Sequence, residues 1–220
     1  LKKLIYLLPF LLIACSNQES EPMITKEEPH EPVEEMLEKE EVSETPQEKQ
    51  NFEIEFVLED EIITLNTKNI TILDAYLKTV KNKQKSISNM ELEKLDMDSL
   101  YLLAFNCSEN TCSYLLLDRN EPNRSFLIDD LVNIKEVSYS PKQSKLLFII
   151  ETYHTDTYKI FDLDDWTPKS YEPKLSEEYI RIDNKIWVDE ETVKLEYQHL
   201  SDSSTNHEMT LKQSKEQLFE

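Results

Sequence analysis

The chain contains no glycine in 220 residues, where average usage of about 7% would place roughly 15. Every backbone site that a Cβ would obstruct is closed to it. P-loops, dinucleotide fingerprints, G-x-S-x-G nucleophile elbows and EF-hand loops all need glycine at a left-handed or crowded position, so none of them can be written. Turns have to be built from Asn, Asp, Ser or Pro. Charge removes a further class. With 45 Asp and Glu against 24 Lys and Arg, net −21, the chain lacks the clustered cations that neutralise phosphates, and no nucleic-acid partner is expected.

The first residues set where such a chain resides. Leu1-Lys2-Lys3 precede an apolar run from Leu4 to Ile13, broken by Pro9, and Ala14 and Cys15 follow. Ten residues of helix reach about 15 Å, short of the about 20 residues that cross a bilayer. A basic start, an apolar centre and a small residue before the cut are the parts of a secretory signal over residues 1–14. Leu12-Ile13-Ala14-Cys15 resembles the lipobox of bacterial lipoproteins. The resemblance implies cleavage before Cys15 and a thioether-linked diacylglycerol on its sulfur, with an amide-linked acyl chain in many species. Two or three acyl chains, at about 0.8 kcal/mol per buried CH₂, anchor a protein stably. Ser16 stands where a retention Asp would hold a lipoprotein at an inner membrane. The localisation expected is the extracytoplasmic face of a cell membrane, with lipid on Cys15 as the membrane contact.

From Asn17 to Asn51 the composition shifts to Glu, Pro, Ser, Thr and Gln, with twelve Glu against Lys26, Lys39 and Lys49. Low hydrophobicity with like charge cannot offset the entropy of ordering, so 15–51 reads as the lipidated Cys plus a disordered acidic tether. A brief helix across Pro32 to Val42 is the one local alternative. As a coil the segment reaches about 30 Å, and self-repulsion extends it. The remaining residues, 52–220, are acidic in their own right. Such a field disfavours anionic surfaces and favours cationic partners or divalent metals.

Residues 52–220 suffice for one domain. Alternation predicts strands at Phe52–Val57 and Glu61–Leu65. Ile72, Leu73, Tyr76, Leu77 and Val80 recur at helical spacing, and a second short helical turn is expected over Met90–Leu95. Beyond Asp98 the chain reads as short strands: Leu100–Cys107, Cys112–Leu117, Ser125–Ile128, Ile134–Ser140, Lys145–Glu151, Thr157–Leu163, Tyr179–Ile182, Lys185–Val188, Val193–Tyr197 and Glu208–Leu211. Polar turns separate them at Asn106–Thr111, Pro141–Ser144, Asp183-Asn184 and Ser201–Asn206. The fold class is therefore mainly β, an antiparallel meander, blade-like or sandwich-like, with one or two short helices near 72–97.

The strands beginning at Leu100, Leu146 and Val193 lie 46 and 47 residues apart, a period suited to four-stranded blades. Ser138-Tyr139-Ser140-Pro141, Leu146–Ile150 and Tyr158–Leu163 resemble one blade of the TolB-like or WD-like kind. The match departs where such blades carry Asp-Gly or Asn-Gly, since Lys142, Gln143 and Ser144 stand there. Three units are too few for a closed ring.

With Cys15 lipidated, Cys107 and Cys112 remain as a pair in an oxidising compartment. Facing each other across a hairpin, their Cα atoms would lie about 4.5 to 5.5 Å apart, within a disulfide's reach. A structural disulfide is expected. Redox chemistry lacks C-x-x-C spacing, and zinc lacks a second ligand pair. His30, His154, His199 and His207 are scattered; His199, Asp202, Ser203 and His207 occupy one polar loop with no scaffold to align a nucleophile with its base. Asp162, Asp164 and Asp165, with Asp156 nearby, crowd a turn without a calcium-loop spacing. Tyr153, Tyr158, Trp166, Tyr171, Tyr179, Trp187 and Tyr197 offer bulk for a β core. Trp166 and Tyr171, in a Pro-flanked loop, are the expected surface members and the candidate ligand-binding residues.

The function these features support is a membrane-anchored extracytoplasmic binding or interaction module, its loops presented to an envelope protein, peptide or glycan. The alternative is an envelope hydrolase or metal-dependent enzyme using Asp162, Asp164 and Asp165, because glycosidase chemistry needs only two suitably spaced carboxylates. A third reading is an assembly subunit. No catalytic residue, resident metal or cofactor is assigned.

Overall fold

The structure, a computed structural model, describes residues 23–27, 53–175 and 179–214. Leading the described residues is a three-stranded sheet of β1 (Ile24–Glu27), β2 (Glu53–Val57) and β3 (Ile62–Asn66), ordered β1-β3-β2. A 3-10 turn at Thr67–Asn69, α1 (Thr71–Thr79) and α2 (Lys83–Ser88) follow. Next come β4 (Glu91–Lys94), β5 (Leu100–Ser108), β6 (Thr111–Asp118), β7 (Arg124–Tyr139), β8 (Lys145–Thr152), β9 (Thr155–Asp162) and β10 (Thr167–Lys169), which form a seven-stranded meander in sequence order. The last sheet holds β11 (Tyr171–Glu172), β12 (Ile180–Asp189), β13 (Thr192–His199) and β14 (Asp202–Gln213), ordered β11-β14-β13-β12. The fold is mainly β and antiparallel throughout, with two short helices.

The sixteen-residue β7 organises the meander. Its first part, Arg124–Val132, pairs with β6, and its second, Asn133–Tyr139, pairs with β8. Between them Leu131 takes a left-handed φ of 51°, a conformation that costs a non-glycine residue about 1 kcal/mol or more. One strand thus turns a corner, and the sheet divides into β4-β5-β6-β7 and β7-β8-β9-β10. The third unit is β12-β13-β14 with β11 on its outer edge. In each unit the second strand is β5, β8 or β13, which accounts for the 46- and 47-residue spacing of Leu100, Leu146 and Val193.

The sheets stack as layers, and strand parity shows it. Tyr101, Leu103 and Phe105 of β5 face a core shared with β1, β3 and α1, while Leu100 and Leu102 face a second core shared with Leu146, Phe148 and Ile150 of β8. Leu147 and Ile149 face a third core with Val193, Leu195 and Leu211. Strands covered on both faces have no polar side to show, so β5 and β8 read as continuous apolar runs. The terminal layers keep the alternation: β2 exposes Glu53 and Glu55 around buried Ile54. Leu73 and Leu77, one turn apart, seat α1 on the first core, and Asn82 caps α2 by accepting the Lys85 N–H at 3.0 Å.

Two carboxylates, buried Glu61 and half-buried Glu190, join the layers. Glu61 accepts the Tyr101 hydroxyl at 3.1 Å and ion-pairs with Lys94 at 3.1 Å and Lys26 at 2.8 Å. Burial raises its pKa, but the hydrogen bonds from Lys26, Lys94 and Tyr101 outweigh it and hold the carboxyl below its ordinary value. Glu190, in the third unit, grips the Pro141–Ser144 turn of the second: its carboxylate accepts the Lys142 N–H and, at 2.9 Å, the Ser144 hydroxyl. Its own carbonyl accepts Lys145 Nζ at 3.0 Å.

Several local expectations are corrected. Ile24–Glu27, inside the span read as disordered tether, forms β1; residues 1–14, Cys15, the rest of 15–22 and the Pro32–Val42 helix lie outside the described residues. Met90–Leu95 is no helical turn: Leu92 pairs with Leu103 because the edge of β5 takes β4 as its partner. Asp183-Asn184 is a bulge within β12, not a turn, and the loop expected over Ser201–Asn206 shrinks because β14 begins at Asp202. Left-handed turn positions fall on Asn106, Glu109, Leu131, Gln143, Tyr153, His154 and Trp166, a wider set than the small polar residues expected.

Candidate functional site

The hairpins β5–β6, β8–β9 and β13–β14 meet at one end of the molecule. Cys112 sits opposite Val132 where β7 turns, and Asn133, the next residue, sits opposite Glu151 at the end of β8. Across the β8–β9 hairpin, Thr155 Oγ1 accepts the Ile180 N–H at 3.0 Å, and the Leu200 N–H donates to Tyr179 O at 2.8 Å. The three hairpins, the β7 corner and the start of β12 therefore form a continuous rim. The β6–β7, β7–β8, β9–β10 and β12–β13 turns occupy the opposite end, where the Arg124 guanidinium lies 4.4 Å from the Trp166 ring and Lys145 reaches Glu190.

Two properties concentrate on the rim. Among the described residues, five of the seven left-handed non-glycine residues lie there: Asn106, Glu109, Leu131, Tyr153 and His154. So do four of the eight exposed large hydrophobics, Leu131 at 47%, Tyr153 at 88%, Tyr179 at 66% and Leu200 at 43%. Tyr153 and His154 are the two residues of a tight hairpin between paired Thr152 and Thr155, both with positive φ. That geometry favours Asn-Gly. A tyrosine there carries backbone strain and gains no burial in return.

Near these side chains, Tyr197 stacks on His207 with ring centroids 5.4 Å apart, and His199 meets His207 edge-on at 4.8 Å. His199, Leu200, Ser201 and Tyr179 line a shallow hollow of about 380 Å³. Asp202 accepts from Ser204 and Thr205, hydrogen bonds that lower its pKa, and no Ser-His-Asp relay is assembled from it. Asp129 pairs with Lys159 at 2.8 Å, and Asp130 accepts the Ser113 hydroxyl.

The sequence-derived sites fall as follows. Cys107 and Cys112 form a disulfide, Cα atoms 4.1 Å apart, at the tip of the β5–β6 hairpin on the rim. Of the two expected surface members, Tyr171 is buried and Trp166 is half-buried. Trp166 packs edge-on against Phe161 at 5.1 Å beneath Arg124, while Tyr171 is 2% exposed in the third core, its burial raising the phenol pKa. Both lie away from the rim, held inward by the apolar area they bury. Asp162 accepts the N–H groups of Asp164 and Asp165 at 3.0 Å and faces Lys145 at 3.9 Å; Asp156, at the far end of β9, accepts Lys135 Nζ and the Ile182 N–H at 2.8 Å. These carboxylates brace the fold and do not converge. Among the described residues no three His, Cys, Asp or Glu side chains gather as a metal site requires.

A second concavity, about 400 Å³, opens between β4 and the second part of β7, with Glu91, Glu93 and Glu136 on its walls and Tyr114 and Tyr139 within it. The Tyr139 hydroxyl accepts the Asp96 N–H at 2.8 Å, and Lys185 pairs with Glu136. Lys94 and Lys135, also on the walls, spend their charge on Glu61 and Asp156.

The class this arrangement defines is a β protein of stacked four-stranded units with one strained, apolar rim. Neither a protein-family model, nor a curated protein, nor a solved structure matches the chain.

Sequence reasoning missed the rim because it weighed the aromatics by loop position. The signal was present as Tyr153-His154 between two strand patterns, a hairpin that lacks Asn-Gly yet is too short to avoid left-handed backbone.

Proposed function

We propose that the protein is an extracytoplasmic lipoprotein, held to a membrane by lipid on Cys15, that acts as a binding module through the rim formed by Leu131, Tyr153, Tyr179 and Leu200. The observation carrying this reading is the coincidence, on one rim, of exposed apolar side chains with strained non-glycine backbone. Selection for stability alone removes both, since each Cβ in a left-handed turn costs folding energy and each exposed ring risks aggregation. The β5–β6 hairpin is closed by the disulfide, and hydrogen bonds from Ile180 to Thr155 and from Leu200 to Tyr179 tie β12 to the other two hairpins, so a partner meets a surface that is already partly ordered. An envelope protein, peptide or glycan with apolar or ring faces matches this chemistry.

Photo-crosslinking in the living envelope tests the reading. The full chain carries a photoreactive residue at Tyr153, at Tyr179 or, as control, at Glu121 in the β6–β7 turn. A discrete adduct from the rim positions, absent from Glu121 and lost with Leu200→Ser, supports it. Equal labelling at all three positions, or none from the rim, overturns it.

A further inference from the structure

The four residues of β1 are the described part of the chain between the proposed anchor and the domain, and they are gripped firmly. Ile24 is buried in the first core beside Leu65, its partner in register. The Met23 N–H donates to Asn123 Oδ1 at 3.2 Å, and Met23 O accepts the Asn66 N–H at 2.9 Å. Lys26 meets Glu61, whose carboxylate is fully buried and whose other oxygen is already taken by Tyr101 and Lys94. Losing Lys26 would leave that carboxylate short of a cation, which is costly in a buried site.

Asn123 belongs to the β6–β7 turn, at the end opposite the rim. With β1 docked, the chain from the anchor therefore reaches the domain at that end. Cys15 and Met23 are eight positions apart in the chain and can span at most about 28 Å; Cys15 and Glu53, 38 positions apart, can span up to about 130 Å. Strands of eight or nine residues place the rim a further about 30 Å from that attachment.

We propose that β1 is an orienting strap: docked on β3, it holds the end bearing Asn123 toward the membrane and turns the rim away from it. The rim's partner is then a component of the space beyond the protein's own bilayer, not its lipid surface. This inference rests on the lipid-anchor reading above.

The test uses the full chain produced with its leader in a bacterium and transferred to nanodiscs containing a headgroup-quencher lipid. A genetically encoded fluorophore replaces Glu121 in one sample and Tyr153 in the other. The mass of the N-terminal peptide reports separately whether Cys15 carries lipid; where it does not, the anchor reading fails, and coupling a maleimide lipid to Cys15 poses the strap question afresh. The strap predicts severalfold stronger quenching at 121 than at 153. Ile24→Asp with Lys26→Glu should abolish the difference, and adding Thr25→Cys with Thr64→Cys, residues facing each other in register, should restore it by cross-linking. Equal quenching at the two positions, stronger quenching at 153, or a difference untouched by the β1 variants overturns the proposal.

Discussion

The two ends of the molecule solve the same problem differently. Both must turn a glycine-free chain. At the end bearing Asn123, buried or half-buried carboxylates brace the turns: Asp118 accepts the Asn120 N–H and pairs with Arg124, Asp162 caps the turn before Trp166, and Glu190 clamps Pro141–Ser144. At the rim the turns rely on left-handed Asn106, Glu109, Tyr153 and His154 and on a disulfide, and the apolar side chains point outward. One end holds layers together, and the other leaves apolar side chains exposed. A composition shared by the whole chain thus leaves room for local specialisation, because each turn can trade conformational strain against hydrogen bonding.

The largest difference between the ends should come from Glu190→Ala, which strips acceptors from Lys142 and Ser144 and loosens the joint between the second and third units. Removing such a partner costs about 2–3 kcal/mol, read as a lower urea midpoint. Cys107→Ala with Cys112→Ala should cost about 2 kcal/mol, the loop-entropy value for so short a ring, and should impair rim crosslinking more than Glu190→Ala does.

Acid sharpens the contrast. Burial alone would raise Glu190, yet its hydrogen bonds from Ser140, Lys142 and Ser144 hold the carboxyl below its ordinary value, as the partners of Glu61 do for that group. A depressed carboxyl contributes stability that is fully present above the unfolded value of about 4.3 and is lost as pH falls through the folded value. Melting temperature should therefore hold through neutral pH and fall below about pH 4, with Glu190→Gln flattening the acid limb. Tyr153→Asn with His154→Gly should raise stability by up to about 1 kcal/mol while weakening rim binding. Gln143→Gly, at the opposite end, should stabilise similarly and leave binding alone. Smallest of all, Tyr179→Ser should shift stability by no more than about 0.5 kcal/mol, yet reduce crosslinking from its neighbours.

Much of the fold was legible in particular runs of sequence. Leu100–Phe105 and Leu146–Ile150 announced strands, and the spacing of Leu100, Leu146 and Val193 announced repeated units; that both faces of these strands are covered came from the layers that pack on them. The disulfide was legible because Cys107 and Cys112 are close in sequence and flank a hairpin. The site was less so. Trp166 and Tyr171 looked exposed from their loop, but Phe161, Arg124 and the third core cover them. Met90–Leu95 looked helical until β5 needed a partner, and Ile24–Glu27, embedded in a charged spacer, paired with β3 across 35 residues or more.

Glycine's absence, the strand periodicities, the hairpin pair of cysteines and the acidic charge are properties of neighbouring residues or of composition, so the chain alone settled them. Which three hairpins share a rim, which carboxylates brace turns rather than meet as a site, and which end β1 approaches depend on contacts between residues tens to a hundred positions apart. Met23 to Asn123 and Glu190 to Ser144 are of that kind. Local periodicity carries no information about such pairings, because they are chosen by which apolar faces can be buried together once the layers stack.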